Sequence, residues 1–147
     1  MKKIKWAILG AARVNERLIP AIINSNQGEL VAIGSRRKDS AKECIQKYAQ
    51  EHTKSIASHM GFDLILDDKE IDAIYIPLSN EEHTQVALKA IRNKKHVLIE
   101  KPMAIKSQEV QLLISEAKKN NVKIMEGFMY VFHPQFDRIQ SIINSKI

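Results

Sequence analysis

The sequence predicts a doubly wound α/β fold, with a mostly parallel sheet and helices on both of its faces. Short apolar runs alternate with stretches of helical periodicity along the whole chain. Several apolar runs end at a glycine or a proline, which is typical of strands buried in a parallel sheet. Strands joined by helical crossovers pair in parallel, so this alternation favours the doubly wound arrangement. A length of 147 residues suits one such domain with a full-sized core.

The strands are expected where apolar residues cluster between turn-forming residues. The six runs lie at residues 4–9, 30–35, 56–57, 72–77, 97–99 and 122–126. Gly10, Pro77 and Gly127 close the first, fourth and last of them, because glycine and proline do not extend a central strand well.

The helices are expected between these runs, where apolar residues recur every three or four positions. They lie at residues 15–23, 40–50, 62–66, 81–93, 107–121 and from 134 to the C-terminus. Pro20 lies inside the first helix and predicts a kink or a later start. Polar residues at the start of three others are expected to cap free N–H groups. These capping residues are Asp39 with Ser40, Asn80 and Ser107.

Charge and composition argue against several classes of function. The net charge of +6 comes from 23 basic and 17 acidic side chains, but the densest basic run is only Arg36-Arg37-Lys38. We interpret the charge as a solvated surface and expect no nucleic-acid partner. Cys44 is the only cysteine, which argues against a disulfide framework or a thiolate metal site and favours a cytoplasmic setting. No apolar run approaches the ~20 residues that span a bilayer, and residues 1–6 show no signal-peptide pattern, so no membrane association is expected.

The turn after the first strand is a candidate phosphate site. A helix N-terminus offers free N–H groups and a partial positive charge to an anion. Gly10 is followed by Ala11 and Ala12, whose small side chains allow close approach of a ligand to the backbone. The full dinucleotide fingerprint has three glycines, and only one is present. A plain tight turn between strand and helix remains an alternative.

The end of the second strand indicates which dinucleotide the site would prefer. NAD-binding proteins place an acid here to hold the ribose hydroxyls. This chain has Ser35, Arg36 and Arg37 instead. A hydroxyl and two guanidinium groups suit a 2′-phosphate, because arginine bonds phosphate through two parallel N–H groups. The pattern favours NADP over NAD; the alternative is that both arginines only decorate the start of a helix.

Ionisable residues follow two further strands, at the edge where ligands of α/β sheets bind. Lys101 comes just after the strand at 97–99 and could polarise a substrate hydroxyl or relay its proton. Its neighbour Glu100 could hold a ribose hydroxyl or orient Lys101, although a simple surface ion pair would give the same sequence. Asn80 and His83 follow the strand at 72–77, and a histidine at such a place is more often structural.

Together these motifs resemble the Gfo/Idh/MocA family of NAD(P)-dependent oxidoreductases, along essentially the whole chain. The segments that carry the resemblance are ILGAARV at 8–14, IDAIYIP at 71–77, Asn80 with His83, HVLIEKP at 96–102 and MEGFMYVFHPQ at 125–135. The Glu-Lys-Pro tripeptide is the most specific of them. The last segment is similar to the branch with glucose–fructose oxidoreductase, NADP-dependent xylose dehydrogenase and dihydrodiol dehydrogenase.

The resemblance implies a reaction and a set of site residues. A hydride would pass between NADP(H), or else NAD(H), and a sugar, polyol or related hydroxy or carbonyl compound, with Lys101 beside the nicotinamide as the catalytic residue. The implied cofactor-binding residues are Gly10, Ala12, Arg13, Val14, Ser35, Arg36, Pro77, Asn80, His83, Glu100 and Lys101. No metal site is implied. A cis peptide is expected before Pro102.

The resemblance also bears on domain organisation. The family carries a C-terminal domain for substrate and dimer contacts, so residues 1–147 are expected to be the dinucleotide-binding domain without it. Homo-oligomers would form through that domain, and this chain by itself would bind nucleotide but turn over poorly. A strand through 128–132 would place three aromatic rings on one face, which would dock or self-associate. The alternatives are a non-catalytic dinucleotide-binding regulatory or scaffold protein and an α/β fragment that has lost ligand binding.

Overall fold

Six strands form one parallel sheet in the computed structural model, which describes residues 2–145. They are β1 (Ile4–Leu9), β2 (Gly28–Ser35), β3 (Ala57–Met60), β4 (Ala73–Ile76), β5 (His96–Ile99) and β6 (Ile124–Glu126). Their spatial order is β3-β2-β1-β4-β5-β6, and every neighbouring pair is parallel. The order reverses between β1 and β4, and a crevice opens at such a point outside the carboxyl ends of the strands. The expected fold class is confirmed.

The helices cover the two faces of the sheet unequally. They are α1 (Asn15–Ile23), α2 (Ser40–Tyr48), α3 (Asp63–Asp67), α4 (Asn80–Arg92), α5 (Ser107–Asn120) and α6 (Pro134–Asn144). Short 3₁₀ turns lie at Gln50–His52 and Met129–Phe132. Buried residues of α1 and α2 pack on one face, whereas those of α3, α4 and α5 pack on the other. Most residues of α6 are exposed.

The central strands are apolar on both faces because each face is covered. In β1, Ile8 packs towards α1 and α2, whereas Ala7 and Leu9 pack towards the opposite helices. In β4, Tyr75 points to the first face and its neighbour Ile76 to the second. A continuous apolar run in the sequence therefore corresponds to a strand buried on both sides.

Several helix starts differ from the expected ones. Asn80 and Ser107 are the first residues of α4 and α5, so neither is the cap, and the cap positions belong to Ser79 and Lys106. Asp39 holds the cap position of α2, but its side chain makes no capping hydrogen bond. The first helix begins at Asn15 as predicted, with Pro20 inside it, so the alternative of a later start is wrong.

The chain after β6 differs from the strand considered for it. Residues Met129–Phe132 form a 3₁₀ turn, so the three aromatic side chains do not alternate as in a strand. They are nevertheless exposed, as expected of a surface that docks or self-associates. The last helix begins at Pro134 as predicted, while residues 146–147 lie outside the described part. Within residues 2–145, no helix has the length and apolar character needed to cross a bilayer.

Candidate functional site

A cleft of about 300 Å³ lies at the carboxyl ends of β1, β2 and β4, where the strand order reverses. It is lined by Gly10, Ala11, Ala12, Ser35, Arg36, Arg37, Phe62, Pro77, Leu78 and Ser79. These residues come from four separate loops, each of which follows a strand. The topology of the sheet therefore assembles the cleft, as expected for an open α/β sheet.

The turn after β1 forms the floor of the cleft. Gly10 has φ of +133°, and a Cβ there would lie 2.9 Å from Leu78 Cδ2. The Asn15 side-chain amide donates to the Gly10 carbonyl oxygen at 2.8 Å and so ties α1 to the turn. Asn15 is fully buried, and its Oδ1 has no hydrogen-bond partner. Both the positive φ and the nearby Leu78 therefore require glycine at this turn, which lines the cleft.

Two arginines form the basic wall of the cleft. The Ser35 hydroxyl accepts a hydrogen bond from the Arg37 backbone N–H at 3.3 Å, at the end of β2. The Arg36 guanidinium lies 5.8 Å from the centre of the Phe62 ring and forms an ion pair with Glu82. Among residues 2–145, no carboxylate lies within ion-pair distance of Arg37. Arg36 is thus paired with a carboxylate, whereas Arg37 has no such partner among the described residues.

Glu82 is held by two partners. The Ser79 hydroxyl donates to Glu82 Oε2 at 2.7 Å, while Arg36 Nη1 contacts Oε1. Burial alone would raise the pKa of Glu82, but the hydrogen bonds from Ser79 and Arg36 and the guanidinium charge outweigh it, so the pKa is lowered. The carboxylate is therefore charged at neutral pH.

His83 connects the loops that follow β4 and β5. It is fully buried, with Nδ1 2.7 Å from the Pro102 carbonyl oxygen and Nε2 3.0 Å from the Leu78 carbonyl oxygen. Both partners only accept, so the ring donates through whichever nitrogen carries hydrogen. The peptide between Lys101 and Pro102 is cis, as expected. His83 thus holds the segment behind Lys101 and does not itself line the cleft.

Glu100 and Lys101, which follow β5, have different surroundings. Tyr75 donates to Glu100 Oε1 at 2.7 Å, and burial together with this hydrogen bond raises the pKa of Tyr75. Glu100 is thus engaged by Tyr75, and within residues 2–145 it makes no ion pair with Lys101. Lys101 is exposed, which differs from the partly dry strand end expected for it. Glu126 accepts from the Met103 N–H at 2.6 Å and secures the next part of the loop.

An apolar groove of about 230 Å³ lies between α1 and the turn at Met129–Phe132, over residues of β4, β5 and β6. It is lined by Val14, Arg17, Leu18, Ala21, Tyr75, Leu98, Glu100, Met125, Gly127, Phe128, Met129 and Phe132. Its lining is almost entirely apolar, apart from Arg17 and the Tyr75–Glu100 pair. The groove is thus bordered by α1 on one side and by residues 127–132 on the other.

The structure gathers some of the predicted cofactor-binding residues and separates others. Gly10, Ala12, Ser35, Arg36 and Pro77 line the cleft. Val14 and Glu100 line the apolar groove, and His83 is buried beneath both loops. Arg13, Asn80 and Lys101 are exposed and line neither the cleft nor the groove.

Four residues of the site were missed in the sequence. Phe62, Leu78 and Ser79 line the cleft, and Glu82 is paired with Arg36. A signal existed for Phe62, because it follows β3 at the same edge as the other loops. No such signal marks Glu82. The helix dipole favours an acid in the first turn of any helix, so an acid at this place is common and indicates no site.

The chemistry of the cleft fits a phosphate-bearing nucleotide. A Cβ at Gly10 would fill the space against Leu78, and two alanines follow, so a ligand can approach the backbone at the start of α1. Phe62 and the Arg36 guanidinium offer flat faces to a base, and Arg37 offers a free positive charge.

The known proteins described below, which this chain resembles in sequence or structure, are oxidoreductases. Residues 4–128 match the family described as "Oxidoreductase family, NAD-binding Rossmann fold". The chain is 36% identical over 146 residues to the uncharacterized oxidoreductase ORF334 of Rhizobium meliloti, covering 99% of this chain and 42% of that protein. It is 31% identical over 144 residues to a trans-1,2-dihydrobenzene-1,2-diol dehydrogenase of Xenopus tropicalis, covering 97% and 42%.

A solved structure with the same fold carries a bound dinucleotide. A 3-ketoreductase from Actinomadura kijaniata, in complex with NADP and TDP-benzene, superposes with a TM-score of 0.89 at 28% identity. The match covers 98% of this chain and 43% of that one. The chain thus spans less than half the length of the relatives it matches.

Proposed function

This chain belongs to the Gfo/Idh/MocA oxidoreductase family, and on that basis we propose that it is the NADP(H)-binding part of an enzyme that oxidises or reduces a sugar, polyol or related hydroxy or carbonyl compound. The dinucleotide when bound supplies the hydride chemistry, through its nicotinamide ring. The residues of this chain bind it, orient it and place charge around it.

The cluster at the end of β2 is the single observation that carries the preference for NADP. Ser35, Arg36 and Arg37 all line the cleft, and no acid stands where an NAD-binding site would have one. Ser35 and the two guanidinium groups offer a hydroxyl and charged N–H donors, which match a 2′-phosphate. The turn at Gly10 and the start of α1 would hold the diphosphate by backbone N–H groups.

Lys101 is the proposed catalytic residue. Its ammonium group is exposed at the end of β5, without a partner among residues 2–145, and is thus available to a substrate hydroxyl. His83 and Glu126 hold the segment that follows it. Lys101 would stabilise the oxygen of the reacting carbinol or carbonyl group and move its proton. The names of the dehydrogenase and ketoreductase relatives support a hydroxyl or carbonyl substrate.

Titration of the 147-residue chain with NADPH and NADH, followed by nicotinamide fluorescence, tests the proposal. We expect tighter binding of NADPH. Arg36→Ala should weaken NADPH binding by about 1–3 kcal/mol, the worth of one charged hydrogen-bonding partner, and change NADH binding little. Lys38→Ala is the control, because Lys38 is exposed on the same loop and does not line the cleft. Tighter binding of NADH, or unchanged NADPH binding in Arg36→Ala, would contradict the preference for NADP.

A further inference from the structure

We propose that Glu82 sets how strongly the cleft prefers a 2′-phosphorylated dinucleotide, by acting as an internal anion that occupies the Arg36 guanidinium. This inference rests on the proposed function, because it assumes that the cleft holds the adenosine end of the cofactor. Glu82 lies outside the predicted set of site residues and does not line the cleft itself.

The geometry makes the ion pair a link between two walls of the cleft. Arg36 follows β2, whereas Glu82 belongs to the first turn of α4, which follows β4. β1 lies between β2 and β4 in the sheet, so the side chains of the pair meet across the end of the central strand. Ser79 holds the second oxygen of Glu82 at 2.7 Å. The carboxylate is therefore fixed on the α4 side, and the guanidinium reaches over to it.

The ion pair also makes the two arginines differ in how much of their charge is available to a ligand. Arg36, which lies near Phe62 and is paired with Glu82, presents a flat guanidinium face whose charge the carboxylate partly offsets. Arg37 carries a charge that no carboxylate within residues 2–145 compensates. A 2′-phosphate that uses Arg36 must share the guanidinium with Glu82 or displace the carboxylate. A dinucleotide without that phosphate has no such competition, so Glu82 acts on NADP(H) and leaves NAD(H) almost unaffected.

The exposure of the ion pair to water determines how much Glu82 can change the affinity of the cleft for a 2′-phosphate. The Arg36 side chain is 60% exposed and the Glu82 side chain 24%, so water screens their attraction. Exposed ion pairs of this kind are weak, and releasing Arg36 from one should strengthen phosphate binding by about two- to fivefold. Glu82→Gln is the most informative variant, because glutamine removes the negative charge and keeps the shape and one acceptor oxygen, while an NH₂ group replaces the other oxygen.

The test measures binding to wild-type chain and Glu82→Gln by calorimetry, with adenosine 2′,5′-bisphosphate and adenosine 5′-monophosphate as probes of the adenosine end, and with NADPH and NADH. We expect the variant to bind the two 2′-phosphorylated ligands about two- to fivefold more tightly, with less than a twofold change for the other two. Its affinity for NADPH should also fall more steeply with added salt, since one more unpaired cation faces the phosphate.

Two further variants separate this role from others. Glu81→Gln is the matched control, because Glu81 is an exposed acid in the same helical turn and the substitution changes the net charge equally. In an Arg36→Ala background the gain from Glu82→Gln should shrink below twofold, since Glu82 is proposed to act through Arg36. Circular dichroism and thermal unfolding of each variant show that it is folded.

The possible results distinguish a failure of the role proposed for Glu82 from a failure of the proposed function. An equal change for NADPH and NADH, a loss of NADPH affinity in Glu82→Gln, or a gain that persists without Arg36 overturns the role of Glu82. If wild-type chain still prefers NADPH in that case, the proposed function stands. If wild-type chain binds neither dinucleotide nor the adenosine nucleotides, the proposed function itself fails, and the role of Glu82 with it.

Discussion

At the scale of single residues, Gly10 shows how the backbone shapes the cleft. Its φ of +133° lies where L side chains are strained, and a Cβ would also crowd Leu78 at 2.9 Å. Two independent reasons thus require glycine at this turn. Only one of the three fingerprint glycines is present, and the small residues Ala11 and Ala12 line the same cleft.

Gly10→Ala should therefore lower both stability and binding. We expect a loss of about 1–3 kcal/mol in the free energy of unfolding from the strained backbone, and a loss of NADPH affinity because the turn shifts. Urea denaturation and NADPH titration measure the two effects. Gly61→Ala is the control, since Gly61 also has positive φ, +82°, but open space around its Cβ. If both variants lose the same NADPH affinity, the turn at Gly10 has no special part in binding.

Lys95 is a second residue whose role depends on its surroundings. In the sequence it belongs to a polar turn, Asn93-Lys94-Lys95, yet it is buried in the structure. Its ammonium donates to the carbonyl oxygens of Asp68 and Ile71, the latter at 2.9 Å. Burial lowers the pKa of Lys95, although nearby aspartates oppose the change. The side chain thus ties the start of β5 to the loop before β4.

At the scale of elements, His83 holds together three parts of the chain. It lies on α4 and contacts the carbonyl oxygens of Leu78, after β4, and Pro102, after β5. The cleft and the segment that carries Lys101 are therefore fixed to one helix. This explains how a histidine can matter to the site without facing a ligand.

His83→Leu should release those loops. Leucine offers no N–H, so the carbonyl oxygen that accepts from the ring loses its donor, and we expect a loss of about 1–3 kcal/mol in the free energy of unfolding. Hydrogen exchange of the Met103 amide should also become faster, because the loop around Pro102 loses an anchor. Gln85→Leu is the control on the exposed face of α4 and should change stability by less than about 0.5 kcal/mol. Unchanged stability in His83→Leu would show that the two contacts are dispensable.

At the scale of the whole molecule, the surface over β4, β5 and β6 beside α1 carries exposed apolar residues. Phe128, Met129 and Phe132 line its groove and are exposed, with Phe132 exposed to 70%. Ile139, Ile142 and Ile143 of α6 are exposed as well. Exposed apolar residues of this kind favour association, because burying them removes apolar area from water.

The 147-residue chain is therefore expected to self-associate at high concentration. Phe132→Ser should shift the distribution towards monomer, as measured by sedimentation velocity over a concentration series. Leu64→Ser is the matched control, because Leu64 is also 70% exposed but lies on α3, away from the groove. A wild-type chain that stays monomeric throughout the series, or an equal effect of both substitutions, would contradict association through the groove.

The sequence by itself determined the order and type of most elements. Apolar runs such as residues 72–77 are buried on both faces of a parallel sheet, and they leave the same pattern wherever such a sheet is built. Helix boundaries were less well determined at Asn80 and Ser107, where capping residues were assigned one position too late. Neighbouring polar residues compete for the cap, and local geometry decides between them.

The sequence also placed Gly10, Ser35, Arg36 and Pro77 at the cleft, because each lies at the end of a predicted strand or directly after it, and all strands of a parallel sheet end at one edge. Only the tertiary structure decided which side chains meet across that edge. Glu82 lies 46 residues from its partner Arg36, and Tyr75 lies 25 residues from Glu100, so no local pattern could pair them. Those contacts depend on which strands are neighbours and on the direction of each side chain, which the fold alone fixes.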